Sequence, residues 1–280
     1  MKEYELIFVD DFSTDNGNKI INKIKKKDKR IKMIKNKKNM GTSYSRYIGE
    51  LNANSKYIKK NKIDIVQFHT IWQDKNAISI KSFSYNYEKT IYQPYLSYIF
   101  YYNIDKKKGE EYNYAMWNKL IKRKIVNKAF KWIGEKYLKE KVIVHNDLII
   151  LFSLLKNANS YKYIDEIGYY YYKSNKNSAS SSWKNYKISN KLIHGLFINI
   201  KFLYEKTGNT YLDKYLCISR VEYYYNKYNK LFKYLNNKEL TYITKIFNTL
   251  IRSDFISKED KANILATKIL IFKRVETQED

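Results

Sequence analysis

Leu6-Ile7-Phe8-Val9 is an unbroken apolar run that stops at Asp10-Asp11 and gives way to the hydroxylic residues Ser13 and Thr14. A short β-prone run ended so abruptly predicts a buried strand whose carboxyl end delivers acids to the edge of a sheet, where open α/β folds bind ligands. The period then changes. Ile20, Ile21 and Ile24 share one face of a helix that Asp15 or Asn16 can cap, and Ile31 to Ile34 reads as a short strand, so the opening predicts a βαβ unit. Tyr44, Ile48 and Leu51 recur at helical spacing, with Gly41 and Ser43 in the turn ahead of them. Ile63 to Phe68 predicts another strand, Tyr87 to Tyr102 an aromatic helix despite Pro94, and Leu148 to Leu155 an apolar helix preceded by Asp147. Beyond Trp183 the pattern is largely helical, with Leu192, Leu196 and Ile200 on one face and Leu203 and Tyr204 continuing it.

Composition narrows the class of molecule. A chain of 280 residues, 44% hydrophobic and 17% aromatic, can bury a sizeable core. One Pro and eight Gly leave no Pro/Gly-rich linker to mark a boundary. The single Cys217 excludes an internal disulfide and a cysteine-based zinc site, and it fits a reducing compartment. His69, His145 and His194 form no zinc-binding spacing. No signal-peptide pattern opens the chain and no apolar run reaches membrane-spanning length, so the expected location is cytoplasmic, at most against the inner face of the membrane. A net charge of +26 favours anionic partners such as headgroups, nucleic acid or phosphate-bearing substrates, although Lys/Asn/Ile/Tyr bias from an AT-rich coding sequence accounts for it more simply.

Five segments carry chemistry in a fixed order. Val9-Asp10-Asp11-Phe12-Ser13-Thr14-Asp15 resembles the V-D-D-G-S-T-D signature of family 2 glycosyltransferases, with Phe12 where Gly is usual. Asn39 to Gly49 is similar to the family's N-x-G-x-S-x-A-R-N-x-G segment, with Tyr47 in place of Asn. Trp117-Asn118-Lys119-Leu120-Ile121-Lys122-Arg123 is similar to its W-N-K-L-x-x-R. His145-Asn146-Asp147-Leu148 stands where the family carries E-D-L, and Tyr169-Tyr170-Tyr171-Tyr172 with Ser178 resembles its closing Y-Y-Y-R…S. The resemblance implies an α/β fold, an incomplete GT-A core over residues 1–182 followed by a helical region over 183–280.

It also implies residue roles. Asp147 would be the base that takes the acceptor's proton; read from pattern alone, it is first a cap for the helix that follows, and the resemblance brings the two readings level. Asp10, Asp11 and Ser13 would meet the nucleotide of the donor, and Arg46 its phosphates or base. The plainer alternatives are acids that cap a turn and a solvated helix cation. The Tyr169 to Tyr172 run suits sugar stacking, and an aromatic strand suits a core. The implied partners are a nucleotide-sugar donor, a UDP-sugar first among them, and a polysaccharide or lipid-linked glycan acceptor. Mg or Mn is implied as cofactor, yet its D-x-D ligands are missing from this sequence, so no metal residue is assigned and activity is expected to be impaired.

The family's V-S-V-I-I-P-x-Y-N opening strand and its D-x-D strand are both absent from this sequence, as expected of truncation, gene decay or a wrong gene boundary. The Leu6 to Val9 edge is then expected to lie unpaired, to self-associate, or to be covered by Ile63 to Phe68. A non-catalytic remnant that binds nucleotide or glycan, and a basic nucleic-acid-binding protein, are the alternative functions.

Overall fold

The computed structural model describes residues 5–53, 63–74, 77–81, 90–93, 96, 115, 116, 118–140, 142, 146–172, 190–206, 234–252, 254 and 258–276. It groups residues 1–141 and 146–185 in one compact unit and residues 142–145 and 186–280 in a second. Trp117, His145, Ser178 and Cys217 lie outside the described residues.

The first unit opens with the expected βαβ element. Strands β1 (Leu6–Asp10) and β2 (Ile31–Lys35) pair in parallel, joined by helix α1 (Gly17–Lys27). Asn16 stands at the cap of α1, and Asp15 accepts the Gly17 N–H at 2.9 Å. The apolar face predicted for α1 is not buried, since Ile20 and Ile24 are both exposed. Helix α2 (Thr42–Leu51) follows and packs on β1: a Cβ at Gly49 would sit 3.4 Å from Val9 Cγ2, an ordinary contact distance.

A second sheet has the order β4-β3-β7-β5, with β6 also on β3. Strand β3 (Ile65–Asp74) lies parallel to β7 (Ser160–Tyr172) and antiparallel to β4 (Ala77–Lys81) and β6 (Lys119–Ile121); β5 (Thr90–Tyr92) pairs antiparallel with β7. Two expectations are corrected here. Thr90 to Tyr92 is strand rather than helix, because its backbone groups are taken by Ser160 to Lys162 of β7. The Ile63 to Phe68 segment does not cover the open edge of β1: it forms the start of β3 and is committed to β7 and β6, and among the described residues β1 has β2 as its only strand partner.

The core of this unit lies around α3 (Arg123–Ile133), the short α4 (Glu135–Leu138) and α5 (Asn146–Asn157). Every residue from Leu148 to Leu155 in α5 is buried, which fits a helix apolar on all sides. Its one hydroxyl, Ser153, returns its proton to the Ile149 carbonyl at 2.7 Å. In β7 the buried aromatics are Tyr161 and Tyr163, whereas Tyr169 and Tyr170 are exposed, so the tyrosine run is not the core strand its composition suggested.

The second unit is helical where it is described. Helix α6 (Asn190–Lys206) buries Leu196, Ile200 and Leu203 as its spacing predicts; the side chain of Leu192 lies outside the described residues. Helix α7 (Asn237–Ile251) begins with a reciprocal cap in which Asn236 accepts the Glu239 N–H and Glu239 accepts the Asn236 N–H, each at 3.0 Å. Helix α8 (Lys258–Glu276) buries Ile264 and Ile271. No helix of the described residues is long and apolar enough to cross a membrane.

Candidate functional site

The carboxyl end of β1 is built by its two acids. Asp10, 8% exposed, accepts the Ser13 N–H at 2.9 Å through Oδ1 and the Asn18 side-chain N–H at 2.7 Å through Oδ2. Hydrogen bonding from Ser13 outweighs burial and holds the Asp10 carboxyl below its ordinary range. Asp11 works in the other direction. Its Oδ1 accepts from Met40 N at 2.7 Å and Asn36 Nδ2 at 2.9 Å, and its Oδ2 accepts from Gly41 N at 2.8 Å. One acid thus fixes the entry to α1 and the other fixes the turn into α2. Gly41, with φ 89°, takes a left-handed conformation there that a Cβ would disfavour.

Between the two tethers sits Phe12, with φ 66°, the one described non-glycine residue in the left-handed region. Its ring is 50% exposed, and the Lys35 ammonium lies 5.7 Å from the ring centroid. The backbone strain is about 1–2 kcal/mol for an L-residue. Substitution by Gly relieves that, loses about 0.4–1 kcal/mol through the freedom glycine adds to the unfolded chain, and loses about 0.5 kcal/mol of cation–π attraction. The balance is near zero. Phe12→Gly should therefore unfold in urea within about 1 kcal/mol of the parent; a loss above about 2 kcal/mol would show that the ring packs as core.

Helix α2 carries the site to its second half. Asn36 Nδ2, besides bonding Asp11, donates to Ser45 Oγ at 3.0 Å, and the next residue, Arg46, donates from Nη1 to Asp147 Oδ1 across 101 positions of sequence. The structure thus brings two of the sequence-derived site residues into one ion pair, partly buried on both sides. Asp147 lies in the first turn of α5, where a carboxylate meets the positive end of the helix dipole. Asp10, Asp11 and Ser13 join this pair through the Asn36–Ser45 connection rather than by direct contact.

Lys119 is the residue that sequence reasoning quoted but gave no role. It is 8% exposed, and its ammonium donates to the Ala115 carbonyl at 2.6 Å and to Asn118 Oδ1 at 2.8 Å. Burial lowers its pKa from 10.5 to about 7, with the Asp147 carboxylate opposing the shift. Between those values the unfolded chain binds more protons than the folded one, so stability rises with pH across that window. Relative to Lys119→Met, the parent should gain about 2 kcal/mol of unfolding free energy between pH 7 and 9. Parallel pH profiles for the two proteins would refute a titrating Lys119.

Two further acids of this unit, Asp64 and Asp165, have structural partners. Asp64 accepts from Asn159 N at 2.9 Å and pairs with Lys122 at 3.2 Å; Asp165 meets His69 Nε2 at 2.8 Å. Among the described residues no three His, Cys, Asp or Glu side chains converge as metal ligands, and both carboxylates at the β1 edge are filled by N–H donors. These residues do not fit a divalent ion. Asn36, 7% exposed, was missed because an asparagine after a strand carries no periodic signal; only its two long-range hydrogen bonds mark it. Tyr47, which stands where Asn was expected, packs its ring on Phe130 with centroids 5.5 Å apart.

Comparison with known proteins agrees with this architecture. Residues 1–59 match the family described as glycosyl transferase family 2. Similar solved structures include S. aureus TarS 1–349 in complex with UDP-GlcNAc, at TM-score 0.57 and 13% identity, covering 99% of this chain and 82% of that one. S. aureus TarS 1–349 in complex with UDP gives 0.54 and 12% over the same shares, and S. aureus TarS gives 0.54 and 12% over 98% of this chain and 49% of that one. The likeness is one of fold, and the α/β fold of the GT-A class is the fold of this chain. No curated protein matches it.

Proposed function

We propose that the chain is a family 2-like glycosyltransferase acting on a nucleoside-diphosphate sugar, a UDP-sugar first, and passing the sugar with inversion to a polysaccharide or lipid-linked glycan. The observation that supports this most is the Arg46–Asp147 pair, formed by the two residues that the resemblance selects for phosphate or base binding and for proton abstraction. In the reaction an acceptor hydroxyl attacks the anomeric carbon and its proton passes to Asp147, whose Oδ1 is engaged by Arg46. The new C–O bond forms as the bond to the diphosphate oxygen breaks on the opposite face, and the nucleoside diphosphate leaves with that electron pair. The overall charge of +26 suits both the anionic donor and contact with an anionic membrane inner face.

A second reading, a nucleotide- or glycan-binding module without turnover, has its own support: the carboxylates of Asp10 and Asp11 are fully engaged by the protein, and the described donors do not fit a metal that would stabilise the leaving group. Titration calorimetry with UDP and UDP-GlcNAc, followed by detection of released UDP with and without manganese, separates the two. Binding with slow, manganese-independent release supports an impaired transferase, and binding without release supports the module. Absence of binding at millimolar ligand would refute the transferase and the nucleotide-binding module alike.

A further inference from the structure

We propose that the ring of Phe12 is the surface on which the nucleobase of the donor stacks, an inference that rests on reading the β1 edge as a nucleotide site. The position is unusual for an aromatic residue. Its φ of 66° belongs to a conformation that bulky L-residues rarely adopt, and strain of this kind persists at ligand sites where the surroundings over-determine it. Here they do. Asp10 ties Ser13 and Asn18, while Asp11 ties Asn36, Met40 and Gly41, so the backbone on either side of Phe12 is fixed before any ligand arrives.

What this arrangement holds in place is a large apolar ring left half in water, at the carboxyl edge of a parallel strand pair whose two carboxylates, Asp10 and Asp11, are tied to the protein. The ring adds little net stability to the fold, as the balance of strain, chain entropy and Lys35 attraction shows. A planar π-surface at a polar sheet edge suits a heterocyclic base, because stacking needs no hydrogen-bond donors beyond those already spent on the loop. Lys35, at the end of β2, supplies the second half of the match. Its side chain is 55% exposed and its ammonium stands 5.7 Å from the ring centroid and 4.0 Å from Asp10 Oδ2, a long ion pair from which it can turn to an anionic group attached to a stacked base. Base on Phe12 and phosphate toward Lys35 together describe a nucleoside diphosphate rather than a simple sugar.

The test is calorimetry of the full chain with UDP and with inorganic pyrophosphate, for the parent, Phe12→Gly and Phe12→Tyr. Phe12→Gly should weaken UDP by roughly tenfold, Phe12→Tyr should stay within about threefold of the parent, and pyrophosphate should respond alike to all three proteins. Equal UDP affinity in the parent and Phe12→Gly would overturn the proposal. So would a parallel loss for pyrophosphate, which would place the effect in loop geometry rather than in stacking. A parent that fails to bind UDP removes the nucleotide reading itself, and is seen before any substitution is compared.

Discussion

Asp147→Asn should lower sugar transfer by roughly two to four decades, the usual worth of a general base, while leaving UDP affinity within a few-fold of the parent. Asparagine keeps the size of the side chain and an oxygen that can accept from Arg46, but it cannot take up the acceptor's proton. The ion pair it weakens is partly exposed at Arg46, so about 1 kcal/mol of stability is at stake and the variant should remain folded. The split between rate and affinity is the informative part. A binding role for Asp147 would raise the UDP dissociation constant along with the loss of rate, whereas a purely structural first-turn acid would change neither beyond the small stability loss. An unchanged rate in single-turnover assays would move the base elsewhere.

Asp11→Ala should destabilise the first unit by about 3 kcal/mol, measured by the urea midpoint at unchanged slope. The carboxylate accepts from two backbone amides and from a buried asparagine, and each bond to a charged group is individually worth about 1.5–3 kcal/mol when its partner is left stranded. Water reaching the opened turn recovers part of that sum, which is why the expectation lies well below the total. Asp11→Asn retains one acceptor and points an N–H at a donor, and it should fall between the two. A midpoint identical to the parent would mean that the turn into α2 is held by Gly41 and the helix alone.

The elements that could be read from sequence are those whose signal is local. The β1–α1–β2 unit follows from a run of Leu6 to Val9, three isoleucines at helical spacing and a second short run, and α2 from Tyr44, Ile48 and Leu51. Thr90 to Tyr92 was misread because a short aromatic segment satisfies either period, and its state was decided by distant backbone partners in β7. The tyrosine run of β7, which sequence left open between core and exposed surface, was decided in a related way: burial along that strand falls on Tyr161 and Tyr163, at the end bordered by both β3 and β5, while Tyr169 and Tyr170 lie beyond the reach of β5. At the site, residue types pointed to Asp10, Asp11, Arg46 and Asp147 individually, but neither the inward commitment of the first two nor the pairing of the last two has any trace in spacing. Phe12 is the intermediate case. Its departure from glycine was visible in the sequence, and only the backbone angle gave it meaning.

The parallel pairing of β3 with β7 also dictates an order of events during synthesis. Ile65 lies opposite Tyr161, and the Ser160 hydroxyl that accepts the Asp64 N–H is 96 residues downstream. At translation rates of about 5–20 residues per second, β3 emerges roughly 5–20 seconds before its parallel neighbour exists. In that interval β3 can pair with β4, antiparallel and adjacent in sequence, and later with the three-residue β6, but the side that β7 takes stays open. Residues that end up fully covered, Ile65 among them, are thus presented by the nascent chain as one side of an incomplete sheet. Ribosome-arrested chains that stop short of Ser160 should be cut within β3 by added protease, and chains extending well past Tyr172 should resist. Equal resistance at both lengths would mean that the β3–β4 hairpin stands by itself and that the ribosome releases no vulnerable species.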